Sequence, residues 1–80
     1  MAKVMLRLFA GAREIAGAGT ISYEATTVQG LLDKAQSDLG PEFTQMLSIS
    51  RVWLNGEPVE GDSEVSNGDE VAVLPPVSGG

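Results

Sequence analysis

Apolar and polar positions alternate with period two at the start of the chain: Val4, Leu6 and Leu8 fall on one side, Lys3, Met5, Arg7 and Phe9 on the other. Successive side chains of a strand point to opposite faces, so Lys3 to Phe9 reads as a half-buried first strand. Ala10 to Gly19 is rich in glycine and alanine and holds a short helical piece, Ala12 to Ala16, before Thr20 to Glu24 resumes strand character. A hairpin with a wide loop fits that stretch. The period then changes. Val28, Leu31, Leu32, Ala35 and Leu39 recur at helical spacing with Asp33, Lys34, Gln36 and Asp38 opposite, which predicts an amphipathic helix over about 27 to 39. Thr26 and Gln29 have capping-box spacing at its start, and Gly40-Pro41 supplies a stop.

Beyond the stop, Glu42 to Leu47 predicts a second short helix with Phe43, Met46 and Leu47 as its apolar contacts. Ser50 to Leu54 reads as a strand, with Val52 and Leu54 on one side and Arg51 and Trp53 on the other. Asn55-Gly56 is a strong hairpin-turn dipeptide, so a short partner strand over Glu57 to Glu60 follows, and Pro58 places it at a sheet edge. Gly61 to Asn67 is polar loop, Asn67-Gly68 is another turn, and Asp69 to Leu74 is the last strand. This order predicts an α+β fold, a ubiquitin-like β-grasp roll with a mixed sheet of about five strands and one main helix on one face. If the first and last strands pair, Val4, Leu6, Leu8, Val71 and Val73 face the helix, while Phe9, Ala72 and Leu74 share the opposite face; Trp53 joins them if its strand pairs alongside, the alternative being that it packs under the tail or a loop. Scattered apolar surface is normal, but a contiguous patch of this kind marks an interface.

Composition changes the picture mainly by exclusion. Eighty residues make one domain, with a body over 1–74 and an extended tail over 75–80, and leave little room for a deep cleft. The formal charge of −6 argues against nucleic acid and anionic membranes and favours a basic protein partner. There is no Cys and no His, which removes thiol nucleophiles, imidazole-based dyads and thiolate zinc sites together; no metal site is expected. Arg7 interrupts the apolar run that would make Met1 to Ala12 a secretion signal, and no segment has the length of a membrane span. A cytoplasmic place is expected, and the absence of Cys is compatible with a reducing one. Paired carboxylates are common along the chain, yet nothing sets two of them in a dry pocket as acid and base.

Any chemistry is left to a carboxylate, an amine, a hydroxyl or the chain ends, and among these Pro75-Pro76-Val77-Ser78-Gly79-Gly80 stands out as a working end. Proline fixes φ and extends its predecessor, so the chain leaves the last strand straight, and the two glycines make a tip thin enough for a narrow channel. Six extended residues reach roughly 20 Å. With 10 glycines in 80 residues, a Gly-Gly pair at a given place arises by chance about once in sixty, so its weight comes from the prolines and strand behind it. A frayed end or a cloning remnant is the bland alternative.

Leu8-Phe9-Ala10, Arg13-Glu14-Ile15-Ala16-Gly17, Leu54-Asn55-Gly56-Glu57 and Gly68-Asp69-Glu70-Val71-Ala72 running into the tail resemble the small subunit family of molybdopterin synthase, a group of ubiquitin-like sulfur carriers. The likeness spans nearly the whole chain, and its most specific part is the last. It implies that the Gly80 carboxylate is adenylated by a ubiquitin-activating-like adenylyltransferase using ATP, then converted to a thiocarboxylate. It further implies that Pro75, Pro76, Val77, Ser78 and Gly79 thread that group into the large synthase subunit, in a heterotetramer of two small and two large subunits. There the sulfur passes to cyclic pyranopterin monophosphate to form the molybdopterin dithiolene, with no cofactor bound by the carrier itself. Phe9, Leu74, Trp53 and Arg13 become the expected partner contacts, although Arg13-Glu14 also reads as a solvated helix end, and Asp69 and Glu70 as turn and strand-edge charges. Three alternatives stay open: a related carrier for thiazole or cysteine biosynthesis, the thiazole carriers being expected to lack the loop from Leu8 to Gly17; a protein modifier joined to lysines through Gly80; and an interaction module with an inert tail.

Overall fold

A computed structural model describes residues 1–76, whose elements run β1 (Ala2–Leu8), α1 (Ala10–Ala16), β2 (Thr20–Ala25), α2 (Val28–Leu39), α3 (Pro41–Ser48), β3 (Arg51–Leu54), β4 (Glu57–Pro58) and β5 (Glu70–Leu74). The five strands form one mixed sheet in the order β2-β1-β5-β3-β4. Its centre is the parallel pair of β1 and β5, in which Leu6 stands opposite Val71 and Leu8 opposite Val73. Val4, Leu6, Val71 and Val73 have no exposed surface and Leu8 almost none. The alternation that marked the first and last strands thus selects one face of both for the core, and the pairing sets them side by side.

The helices close that face. Val28, Leu31, Leu32 and Ala35 of α2 are buried in the same cluster as the strand residues, together with Ala12 of α1 and Phe43 of α3. The expectation of one main helix holds for α2, with α1 and α3 as shorter additions. α1 begins at Ala10, two residues earlier than predicted, because the Phe9 carbonyl accepts from the amides of Ala12 and Arg13 at 3.1 and 3.4 Å. β1 accordingly ends at Leu8, and Phe9 becomes the helix cap. α3 is one residue longer at each end than predicted: Gly40, at φ 92°, ends α2 and admits Pro41 at the first position of α3. β4 stops at Pro58, short of the predicted Glu60, and is the edge strand its proline required.

The start of α2 departs from expectation in an informative way. Thr27, not Thr26, is the cap, its Oγ1 accepting from Gly30 N–H at 3.0 Å. The two preceding orphan amides are satisfied from a distant loop: Val28 donates to the Ser63 carbonyl at 2.9 Å and Gln29 to the Gly61 carbonyl at 2.7 Å. Thr26 serves that loop in return, its carbonyl accepting from Val65 N–H at 3.0 Å, while the Gln29 side chain donates to Asp33. A local capping box gave way to a long-range one. The same docking buries Val65, an apolar residue inside what the sequence presents as polar loop.

A second latch joins the β3–β4 turn to the start of β5. Asn55 and Gly56 both have positive φ, 49° and 85°, the geometry of a tight two-residue hairpin turn. Asn55 Oδ1 accepts from Glu70 N–H at 2.9 Å, and its Nδ2 donates to Asp69 Oδ1 at 3.1 Å. Asp69 Oδ2 accepts from Ser66 N–H at 2.7 Å. These donors, the Ser66 amide first and the Asn55 amide second, hold the Asp69 carboxyl below its usual range.

Two outcomes are expected. Thr27→Ala costs about 1 kcal/mol in urea denaturation, as loss of an N-cap does, whereas Thr26→Ala, whose backbone contact survives, costs less than about 0.5 kcal/mol. For Asp69, the folded-state pKa lies below the unfolded value near 3.8, so its stabilising effect is complete above that value and is lost as pH falls through the folded one. Asp69→Asn therefore flattens the acid limb of stability measured between about pH 5 and about pH 2.

Candidate functional site

The face of the sheet away from the helices carries the complementary set of side chains. Ala72 stands between Arg7 on β1 and Trp53 on β3, and Leu74 stands opposite Arg51. Alternation therefore places Trp53, Ala72 and Leu74 in one patch, as parity predicts. A groove of about 570 Å³ follows, lined by Phe9, Ile49, Arg51, Trp53, Gly56, Ala72, Leu74, Pro75 and Pro76. Leucine, tryptophan and proline side chains make it predominantly apolar, and it runs to the base of the tail.

Phe9 reaches the groove because of its place at the joint between β1 and α1. Its backbone is still extended at φ −127° and ψ 157°, and the chain turns only at Ala10, which adopts φ 50°. Positive φ is uncommon for a residue with a Cβ, so the turn is held against a steric cost. The Phe9 ring stays 38% exposed instead of following α1 into the core. Arg7 lies with its guanidinium 5.7 Å from the ring centroid and 3.6 Å from Glu70, so β1, β5 and Phe9 are linked by one half-exposed cation. Exposed pairs of this kind contribute little to stability; their effect here is orientation.

Phe9, Trp53, Leu74, Pro75 and Pro76, five of the residues expected at the site, are thus brought together. Arg13 is not among them: it is exposed on the last turn of α1, with its side chain beside Gly19. Asp69 serves the turn latch and Glu70 the pair with Arg7. The remaining tail residues, Val77, Ser78, Gly79 and Gly80, lie outside the described residues. Two contributors escape sequence reasoning. Ile49, 62% exposed, caps the end of α3 where neither helical nor strand period applies, and only its apolarity between two serines hinted at a role. Arg51 was legible as outward-facing but had no sequence signal tying it to the tail. Among the described residues there is no cluster of three or more acidic side chains able to hold a metal ion, and no helix is long and apolar enough to cross a membrane.

Comparison with known proteins gives this geometry its context. The sequence profile of the ThiS family matches residues 6–80. The chain belongs to the ThiS family of ubiquitin-like sulfur carriers. Among curated relatives, the molybdopterin synthase sulfur carrier subunit of Dictyostelium discoideum is 30% identical over 79 residues, an alignment covering 91% of each chain. Among solved structures, SAMP1 of Haloferax volcanii superimposes with a TM-score of 0.86 at 29% identity, covering 99% of this chain and 100% of its own. A chain from the complex of subunits 1 and 2 of the molybdopterin-converting factor of Helicobacter pylori covers 98% of this chain and 99% of its own, with a TM-score of 0.75 at 22% identity, a likeness of fold alone. The β-grasp fold expected from strand order is therefore the fold of this ThiS-family chain, and the groove lies beside the segment leading to its Gly-Gly.

The separation of the two faces makes a direct test. Phe9→Ala and Leu74→Asp each leave the domain folded, with a loss below about 1.5 kcal/mol in urea denaturation, whereas Leu6→Ala on the other face costs about 2–5 kcal/mol. Collapse of the Phe9 or Leu74 variant to an unfolded circular-dichroism spectrum would show that the groove belongs to the core.

Proposed function

We propose that this chain is the sulfur carrier subunit of a molybdopterin synthase. The observation that carries the molybdopterin assignment is the full-length relationship to the Dictyostelium subunit, supported by an apolar groove at the root of the tail. A chain without Cys or His has no side chain suited to carrying sulfur covalently, so the reacting group is the Gly80 carboxylate.

That carboxylate is neither electrophile nor sulfur source as it stands. Its oxygen attacks the α-phosphorus of ATP in the activating adenylyltransferase, pyrophosphate leaves, and the resulting acyl-adenylate has a good leaving group. A sulfide-level sulfur then attacks the acyl carbon, AMP departs, and a thiocarboxylate remains. With no side chain on Gly79 or Gly80, nothing shields that carbon or widens the arm. Delivered into the large subunit, the thiocarboxylate sulfur attacks a side-chain carbon of cyclic pyranopterin monophosphate, the carbon–oxygen bond at that carbon breaks and its oxygen leaves, and water then cleaves the acyl–sulfur bond to regenerate the carboxylate; each carrier gives one sulfur, so the dithiolene takes two such deliveries. The catalytic groups belong to the partners, while this chain supplies reach, a thin tip and a docking face. The two-subunit assembly of the Helicobacter pylori factor supports a partner of this kind.

A second reading is favoured by the similarity to SAMP1, a small archaeal modifier protein: attachment of Gly80 to lysines of other proteins. Activation would be shared, and only the acceptor differs. Intact mass spectrometry after incubation with ATP, the activating enzyme and a sulfur donor separates the two. The carrier reading expects one oxygen replaced by sulfur at Gly80 and loss of dithiolene formation when Gly80 is deleted. Full synthase activity of the Gly80 deletion would overturn it, and lysine conjugates without a thiocarboxylate would establish the modifier instead.

A further inference from the structure

Among the described residues that line the groove, one is charged. Arg51 stands opposite Leu74 at the last paired position of β3 and β5, one residue before Pro75, and lines the groove with Ile49, Trp53 and Leu74. Arg7, on the same face, is already paired with Glu70, whereas Arg51 makes no ion pair among the described residues. The chain as a whole carries −6, so Arg51 is a local reversal of sign at the point where the tail begins.

A partner that covers this groove removes the guanidinium from water. Doing so without an acceptor costs far more than the surrounding apolar contact returns. A carboxylate is the planar acceptor that matches the guanidinium fork with two parallel hydrogen bonds. We infer that Arg51 is a specificity residue for docking, and that the large synthase subunit presents to it an Asp or Glu carboxylate framed by apolar side chains. This rests on the carrier reading above. A partner surface that is basic overall suits the acidic carrier, and the single acid opposite Arg51 fixes the register of the two proteins. Because Arg51 borders the first tail residue, that register also sets how deeply the tail enters.

The arrangement excludes a polyanion as occupant. One guanidinium in an otherwise apolar lining offers a phosphate backbone little purchase, and the net charge of −6 repels it.

The test is calorimetric titration of the full chain into the large subunit from the same source, at low and high salt. Arg51→Gln is expected to weaken binding about tenfold at low salt and to reduce its salt dependence, the effect of losing one charged hydrogen-bonded pair. Arg51→Glu is expected to weaken it about a hundredfold through like-charge contact. Arg51→Lys keeps the charge but loses the two-pronged contact, so its affinity falls between those of the parent and Arg51→Gln, and all three variants keep the urea midpoint of the parent. A second arm replaces each groove-facing acid of the large subunit by Lys in turn; one such variant restores binding to Arg51→Glu. If Arg51→Gln and Arg51→Glu bind like the parent, the inference is overturned while the carrier reading stands. If the parent itself fails to bind the large subunit, the carrier reading is overturned and the inference with it.

Discussion

The parallel contact between β1 and β5 is the constraint from which the rest follows. Two strands far apart in sequence lie side by side, and their shared alternation divides their residues into two classes. Val4, Leu6, Leu8, Val71 and Val73 go inward, where helices exclude water. Arg7, Ala72 and Leu74 go outward. A slip of one residue in either strand would exchange the classes, exposing valines and burying Arg7 or Glu70. The core thus enforces the register that assembles the groove, and the groove needs no stabilising energy of its own.

The polar latches act on the same pair from its ends. Asn55 ties the β3–β4 turn to Glu70 and Asp69, Lys3 N–H donates to Asn67 Oδ1, and Met5 N–H donates to the Asp69 carbonyl. Each bond is modest by itself. Together they settle where β5 begins, and since β5 has five residues, its beginning determines where Leu74 ends and where Pro75 leaves the sheet. The loop over Gly61 and Ser63 performs the matching task for α2, completing the helix start with carbonyls some thirty residues away in sequence.

What could be read from the sequence followed physical range. Strand parity, the helical stripe from Val28 to Leu39 and the Asn55-Gly56 turn are local signals, and each located its element to within a residue or two. The Phe9 and Leu74 face followed from parity plus the pairing of the first and last strands, and Trp53 from the further assumption that its strand lies beside them. Long-range events were not legible: the Gly61 and Ser63 carbonyls displaced a sequence-local capping box, and Val65 was drawn inward by the docking of its loop. Ile49 and Arg51 joined the site because α3 delivers the chain to β3 at the groove's edge, a tertiary placement that no period encodes. Arg13, by contrast, was singled out by its motif and stands away from the groove.

If the chain acts as proposed, anchorage is separated from chemistry, with consequences for a carrier that visits more than one partner. The tail springs from the groove and reaches roughly 20 Å if extended, so any active site that receives Gly80 brings its protein close to Phe9, Trp53 and Leu74. A standard docking footprint takes about 800 Å² from each side, roughly a sixth of the 4823 Å² this chain exposes. On the proposed function, an activating enzyme and a sulfur-consuming subunit that both cover the groove would compete for it. Transfer would then proceed by release and rebinding, and tight anchorage to either partner would stall the cycle. On the proposed function, a shallow groove whose described lining holds exposed apolar contacts and one charge, Arg51, meets that demand: it would distinguish partners, while the covalent change at Gly80 would be read by the active site.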